Sequence, residues 1–258
     1  MLEPELLSKI ENLIKYPEMD SDSFSKLALF DMDNTLLIGD IGEAVYAQLR
    51  AENHKVHIGW HEYKDILKEH GPGIAYRRMV ASKKGLTRKT IRAVTKRILE
   101  SQNTIYFHDN DIEISKNPPK PNPKLNELIK FLRTLDFGIF VITASSKHIA
   151  DEVCTTWFDL DENIIYGVEN EYDEHEDDII LRGELIEPAP ILEGKAQVYL
   201  NKIDHRSPLI AIGDSLNDVP MLNLVPKEGL KIIVERDPDY TKKIMEVLED
   251  GEVWIIRN

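Results

Sequence analysis

The sequence predicts an α/β fold: a largely parallel sheet covered by helices on both faces, interrupted by an inserted block of helices. Three observations carry this reading. Apolar runs of strand length at residues 27–30, 137–142 and 209–212 alternate with segments of helical periodicity. These runs lack the every-other-residue polarity of a sheet that faces water, so both of their faces are buried. From residue 40 to about 114 strand-like runs vanish, until the proline-rich stretch Asn117-Pro118-Pro119-Lys120-Pro121-Asn122-Pro123 leads back to alternation. The expected division is a core of residues 1–38 and 121–258 and an all-helical cap domain of residues 39–120.

Taken in order, residues 3–16 set Leu6, Leu7, Ile10, Leu13 and Ile14 at helical spacing, with Pro4 suited to a first turn. This reads as an amphipathic helix packed on the core. Pro17 ends it, and a polar connection leads into the first strand. The inserted block predicts helices over 43–52, 61–70, 74–83 and 88–101, punctuated by Gly71-Pro72-Gly73 and Gly85. His57 and His61 have the i, i+4 spacing of two metal ligands on one helix face, but no carboxylate signature accompanies them, and exposed histidines are the better reading. After the prolines come a helix over 123–135, a strand over 137–143 and a helix to about 157, capped by Ser145 or Ser146. Strands over 164–168 and 179–186 flank an acidic run, 169–178. That run lacks the glycine-containing loop of a calcium site and reads as a solvated hairpin tip. A helix (193–203), a buried strand (209–213), a short helix (219–224), a strand (231–234), a helix (240–249) and a last strand (253–256) complete the chain.

Composition narrows the function. The chain has 258 residues, 42% of them hydrophobic, enough for one sizeable core plus an insertion. A formal net charge of −14 argues against nucleic acid or an anionic membrane as the main partner. It also means that an anionic substrate needs a local positive site. The single cysteine, Cys154, excludes an internal disulfide framework, fits a reducing compartment and reads as a buried structural thiol. No apolar run reaches membrane-spanning length, and Met1-Leu2-Glu3-Pro4-Glu5 is acidic where a signal peptide is basic. The expected location is cytoplasmic.

The chemistry is expected where strands end. Phe30 runs into Asp31, Ile142 into Thr143 and Gly213 into Asp214. In an open α/β sheet, ligands bind at the carboxyl ends of the strands, so these residues should meet. Asp31 and Asp33, two apart, can point toward one spot. Converging carboxylates ask for a cation, a shared proton or a reaction; the plainer alternative is a polar turn. Asp214 and Asp218 form a second pair. Four carboxylates with oxygen-only donors point to Mg²⁺.

Four motifs stand in order: Asp31-x-Asp33-x-Thr35, Thr143 behind an apolar strand, Lys195 in Glu-Gly-Lys-Ala, and Gly213-Asp214-x-x-x-Asp218. On these the chain resembles the haloacid dehalogenase superfamily of phosphatases, in particular its phosphoserine phosphatase-like subgroup with a helical cap after the first motif. The resemblance implies a Rossmann-like, doubly wound core and a phosphomonoester hydrolase working through an aspartyl-phosphate. Asp31 would then be the nucleophile and Asp33 the acid/base. Mg²⁺ would be held by the Asp31 side chain, the Asp33 carbonyl and Asp214, with Asp218 close by. Thr143, Lys195 and Asn217 would hold the phosphoryl oxygens.

The subgroup also includes phosphocholine and histidinol phosphatases, and it implies a small phosphorylated metabolite as substrate. Asp40, nine residues beyond Asp31, would bind a substrate amine, and Arg77 or Arg78 on a cap helix, Arg78 being the choice, its carboxylate. The chain departs from the subgroup in reading Thr143-Ala144-Ser145 for Ser-Gly-Gly and in carrying Ser215 where glycine is usual. Added side chains beside a phosphate narrow the approach of substrate. A phosphotransferase on the same fold and a phosphatase-like binding or regulatory protein are the alternatives.

Overall fold

The computed structural model describes residues 2–15 and 24–257. The proline stop at Pro17 and the start of the polar connection lie outside the described residues. The chain begins with α1 (Pro4–Leu13), β1 (Phe24–Phe30) and the short β2 (Leu37–Ile38). There follow α2 (Ile41–Ala51), α3 (Trp60–His70), α4 (Pro72–Ala81) and α5 (Arg88–Ser101), then β3 (Ile105–Asp109), β4 (Ile112–Lys116) and the two-residue β5 (Lys120–Pro121). Next come α6 (Pro123–Thr134), β6 (Gly138–Ser146), α7 (Lys147–Phe158), β7 (Ile165–Val168), β8 (Asn170–His175) and β9 (Asp178–Leu185). The chain closes with α8 (Glu193–Lys202), β10 (Ser207–Gly213), α9 (Val219–Leu222), β11 (Leu230–Glu235), α10 (Pro238–Met245) and β12 (Glu252–Arg257). Side-chain oxygens start several helices: Asp40, Thr87, Asn122 and Asp237 each accept a first-turn backbone N–H.

The chain divides into two compact units, one of residues 1–38, 121–142 and 192–258, the other of residues 39–120 and 143–191. In the first unit β12, β11, β10, β1 and β6 lie side by side in that order, and each pairing is parallel. Their central residues, including Leu29, Phe30, Ile210 and Ile232, are inaccessible to water. Helix α6 buries Leu125, Leu128, Ile129 and Leu132, and α1 buries Leu6, Ile10 and Leu13. Phe30 is in register with both Ile212 and Val141, so the strands reach the carboxyl edge of the sheet at one level. The Asp31 N–H still donates to the Ile212 carbonyl at 2.9 Å. Buried Lys231 on β11 donates from its ammonium to the carbonyls of Glu249 (2.8 Å) and Asp250 (3.3 Å).

In the second unit, residues 143–191 group with 39–120, where the sequence places them with the core. Cross-links inside this unit account for that. Arg92 on α5 pairs with Glu152 on α7 and with Glu162. The Gly85 N–H donates to the Leu181 carbonyl at 2.8 Å, and the Leu181 N–H to the Leu86 carbonyl at 2.9 Å. The stretch expected to be all helical also holds the antiparallel β3–β4 hairpin. Along β3 burial alternates, with Ile105, Phe107 and Asp109 inside and Tyr106 and His108 outside, which is the strand period.

The acidic run includes the hairpin tip, at residues 176–177, and also the strand that leads to it, β8, which pairs with β9. The carboxylates of residues 171–177 stand outward, where Arg182 pairs with Asp173 and Glu171. Ser146 occupies the position before α7 but makes no capping hydrogen bond. His57 precedes α3, so it shares no helix face with His61, whose Nδ1 instead lies 2.9 Å from Asp109 Oδ2. Cys154 is buried in α7. Among the described residues no helix is long and apolar enough to cross a membrane.

Ile210 is wholly buried in a strand paired on both sides. Ile210→Ala is expected to cost about 2–5 kcal/mol in urea unfolding. Met245→Ala, at 41% exposure, should change stability by less than about 0.5 kcal/mol.

Candidate active site

The turn after β1 is fixed at both ends. Asp31 and Asp33 are in extended conformations, Asn34 is left-handed at φ 58°, and the Leu37 N–H closes the loop on the Met32 carbonyl. Asparagine tolerates that φ because its short polar side chain bonds locally. Asn122, buried just before α6, clasps the far side: its Nδ2 donates to the Thr35 carbonyl (3.2 Å) and its N–H to the Leu36 carbonyl (2.8 Å). Asp31 is 5% exposed and Asp33 half-buried.

The second half of the site follows β10. A Cβ on Gly213 would stand 2.5 Å from Asp218 Cβ, so glycine is what lets Asp218 fold back against the strand end. There Asp218 Oδ2 accepts from the Asp214 N–H (3.0 Å), the Ser215 N–H (3.0 Å) and Ser215 Oγ (2.8 Å). Its Oδ1 accepts from Lys195 Nζ at 2.5 Å. Lys195, in the first turn of α8 and wholly buried, also lies 2.5 Å from Asp31 Oδ1. Asn217 holds the approach to that helix, its Oδ1 accepting from the Leu192 N–H at 2.7 Å. Thr35 Oγ1 is 3.3 Å from Asp214 Oδ1.

Carboxylate oxygens of Asp31, Asp214 and Asp218 all lie within 4.8 Å of one another. Burial, and then Asp218, push the Asp31 carboxyl up to about 6 against the pull of Lys195. Burial, and then Asp218 and Asp31, drive Asp214 well above the usual carboxylate range, with Arg236 and Lys195 opposing. Burial alone would lower Lys195, but Asp218 and Asp31 outweigh it and hold the ammonium firmly charged. Lys195 and Arg236 together still leave one of the three carboxylates without a balancing charge.

A cation fits this set. The donors are oxygens only, the preference of a hard divalent ion. Asp214 Oδ2 is buried without a hydrogen bond. Arg236 Nε comes within 2.7 Å of it, but the N–H is not aimed at the oxygen, and the guanidinium lies over the Tyr240 ring. The oxygens of Asp218 are engaged by Lys195, by Ser215 and by the Asp214 N–H, so Asp218 orients the site more than it offers a lone pair.

The structure thus brings together Asp31, Lys195, Asp214, Asn217 and Asp218 in the first unit. Thr143, Asp40 and Arg78 belong to the second. Thr143 directly follows Ile142 along β6, is 1% exposed, and accepts the Ser145 N–H on Oγ1 at 3.1 Å. Asp40 accepts the Glu43 N–H at 2.7 Å, and burial, then Glu43, push it up to about 6. Arg78 on α4 is exposed. Two residues escaped the sequence reading. Asn122 was hidden in the proline run, and Arg236 follows β11, a strand end that itself signals a site.

A family model described as haloacid dehalogenase-like hydrolase matches residues 25–225. No curated protein matches the chain in sequence. Among solved structures, a conserved protein of unknown function from Anaerococcus prevotii DSM 20548 is similar at TM-score 0.68 and 15% identity, covering 98% of this chain and 92% of that one. A phosphoserine phosphatase solved as a phospho-aspartyl intermediate analogue is similar at TM-score 0.56 and 19% identity, covering 88% and 93%. Cytosolic 5′-nucleotidase IIIB bound to cytidine is similar at TM-score 0.57 and 15% identity, covering 97% and 85%.

Asp214→Asn removes one of the crowded carboxylates. It should raise the melting temperature of metal-free protein by about 3 °C. Added Mg²⁺ should raise the wild-type melting temperature and leave that of the variant unchanged, as read by circular dichroism.

Proposed function

The chain belongs to the haloacid dehalogenase-like hydrolases, and from the geometry of its site we propose that it is a Mg²⁺-dependent phosphomonoester hydrolase working through an aspartyl-phosphate. The observation that carries this reading is the buried Lys195 ammonium, which joins Asp31 to Asp218. A carboxylate at a strand end, fixed by a charged donor on Oδ1, leaves Oδ2 as the attacking atom and needs no separate base.

In the first step Asp31 bonds to phosphorus, the ester P–O bond breaks and Asp33 gives its proton to the leaving oxygen. In the second, Asp33 takes a proton from water, the resulting hydroxide attacks phosphorus, and the bond to Asp31 breaks to restore the carboxylate. Lys195 donates to the phosphoryl group as its charge develops. Thr143 Oγ1 already accepts the Ser145 N–H, so its hydroxyl proton is available to a phosphoryl oxygen, and the Asn217 amide can supply another donor. Mg²⁺, held by the Asp31 and Asp214 side chains and the Asp33 carbonyl with Asp218 orienting them, would supply the positive charge that lets a dianionic phosphate approach these carboxylates. Burial and Asp218 raise the Asp31 carboxyl, and the Lys195 ammonium opposes them in favour of the carboxylate that attacks.

Residues 39–120 serve in this reading as the cap that selects the substrate, a small phosphorylated metabolite. Asp40 would meet an amine on it and Arg78 a carboxylate. A cytoplasmic setting agrees with the lone, buried Cys154.

Wild-type protein should release phosphate from p-nitrophenyl phosphate only with Mg²⁺, and Asp31→Asn should lower kcat by about 10³-fold or more. Asp33→Asn should slow turnover by about 10²- to 10⁴-fold through loss of acid/base catalysis. Metal-independent release, or release unchanged by Asp31→Asn, would overturn the mechanism.

A further inference from the structure

Arg236, between β11 and α10 in the first unit, touches an oxygen of the acidic site that no hydrogen bond serves. Asp214 Oδ1 lies 3.3 Å from the Thr35 hydroxyl, while Asp214 Oδ2 is buried without a hydrogen bond. Arg236 Nε stands 2.7 Å from that Oδ2, and among the described residues Arg236 makes no hydrogen bond at all. An arginine that clamps a carboxylate firmly has another geometry in this chain. Arg206 donates to Asp204 Oδ2 from both Nε, at 3.2 Å, and Nη2, at 2.8 Å. Arg236 has the charge contact without the fork.

The Arg236 side chain is also loosely held. It is 40% exposed where Asp214 is 4% exposed, and it belongs to no helix or strand. Its guanidinium lies 5.6 Å from the centre of the Tyr240 ring. Tyr240 is anchored independently, its phenolic oxygen accepting the Leu216 N–H at 3.3 Å. The ring is therefore a berth that the guanidinium can keep when it leaves the carboxylate.

Charge decides which partner Asp214 keeps. Against the carboxylates of Asp31, Asp214 and Asp218, Lys195 and Arg236 leave one negative charge over. A divalent cation together with Lys195 balances all three, and Arg236 becomes surplus. A guanidinium and a divalent cation on one oxygen are like charges in contact, and the exposed, unaimed one is free to move. We propose that Arg236 is a displaceable counter-ion: it covers the free oxygen of Asp214 in the metal-free protein, yields it to the cation, and so sets how tightly the cation binds.

The proposal rests on the divalent-cation reading of the site, and calorimetric titration of the metal-free chain with Mg²⁺ tests it. Arg236→Gln, which stays polar and loses the charge, should lower the Mg²⁺ Kd about tenfold. Arg236→Lys keeps the charge and should stay within about threefold of wild type. Because the contact exists only without the cation, linkage requires a matching loss of stability. Arg236→Gln should lower the melting temperature of the metal-free protein by about 3 °C and leave that of the Mg²⁺-saturated protein unchanged. Arg236→Met repeats both measurements should the glutamine variant not fold.

A side chain with only a structural role would lower both melting temperatures together and leave Kd alone. That outcome overturns the proposal, as does weaker Mg²⁺ binding by Arg236→Gln. So does an Arg236→Lys protein that binds as tightly as Arg236→Gln, because charge would then not be the cause. Failure of the wild-type protein to bind Mg²⁺ is a different result, and it overturns the cation reading itself.

Discussion

The site depends on one buried ammonium. Lys195 Nζ sits between Asp31 and Asp218, with no exposure to water. Two carboxylates brought this close would otherwise take up protons and neutralise. With the lysine between them they can remain charged, and each acquires a fixed direction. Asp218 spends its other oxygen on the Asp214 N–H and on Ser215, so the lysine's position is transmitted to the backbone that carries Asp214. Breaking a buried arrangement of this kind by removing one partner is far costlier than its net contribution suggests, because the remaining charges stay behind.

The sheet makes that arrangement possible. Phe30, Val141 and Ile212 share a register, so residues more than a hundred positions apart leave the sheet at the same edge. Glycine at 213 then allows a close return of Asp218, and Asn122 holds the loop that carries Asp31 and Asp33. The apolar strands supply the stability, and the strand ends supply the chemistry. The excess of carboxylates over ammonium at that edge is the strongest physical argument for a divalent cation there.

Much of this was legible in the sequence because strand ends and short motifs are local. Asp31, Thr143 and Asp214 could each be read from an apolar run and the polar residue that ends it, whereas Lys195 entered only through the family motif. Contacts between distant segments were not legible. Asn122 looked like part of a stiff proline connection, yet it clasps the loop that carries Asp31 and Asp33. The burial of Lys83, whose ammonium donates to the Met79 carbonyl, is likewise a product of packing that no local motif announces. The β3–β4 hairpin could have been read from the alternation of Ile105, Phe107 and Asp109, but helices on its amino side masked the change of period. The acidic β8 strand defied its composition because outward carboxylates cost little when the opposite strand supplies Arg182.

The central claim is that Asp31 becomes covalently phosphorylated. Borohydride trapping during turnover of p-nitrophenyl phosphate, followed by peptide mass spectrometry, tests it directly, because reduction of an aspartyl-phosphate leaves homoserine at the modified position. The account predicts homoserine at position 31 and nowhere else. Phosphate release with aspartate intact at 31, or with the trapped product at another carboxylate, would contradict it.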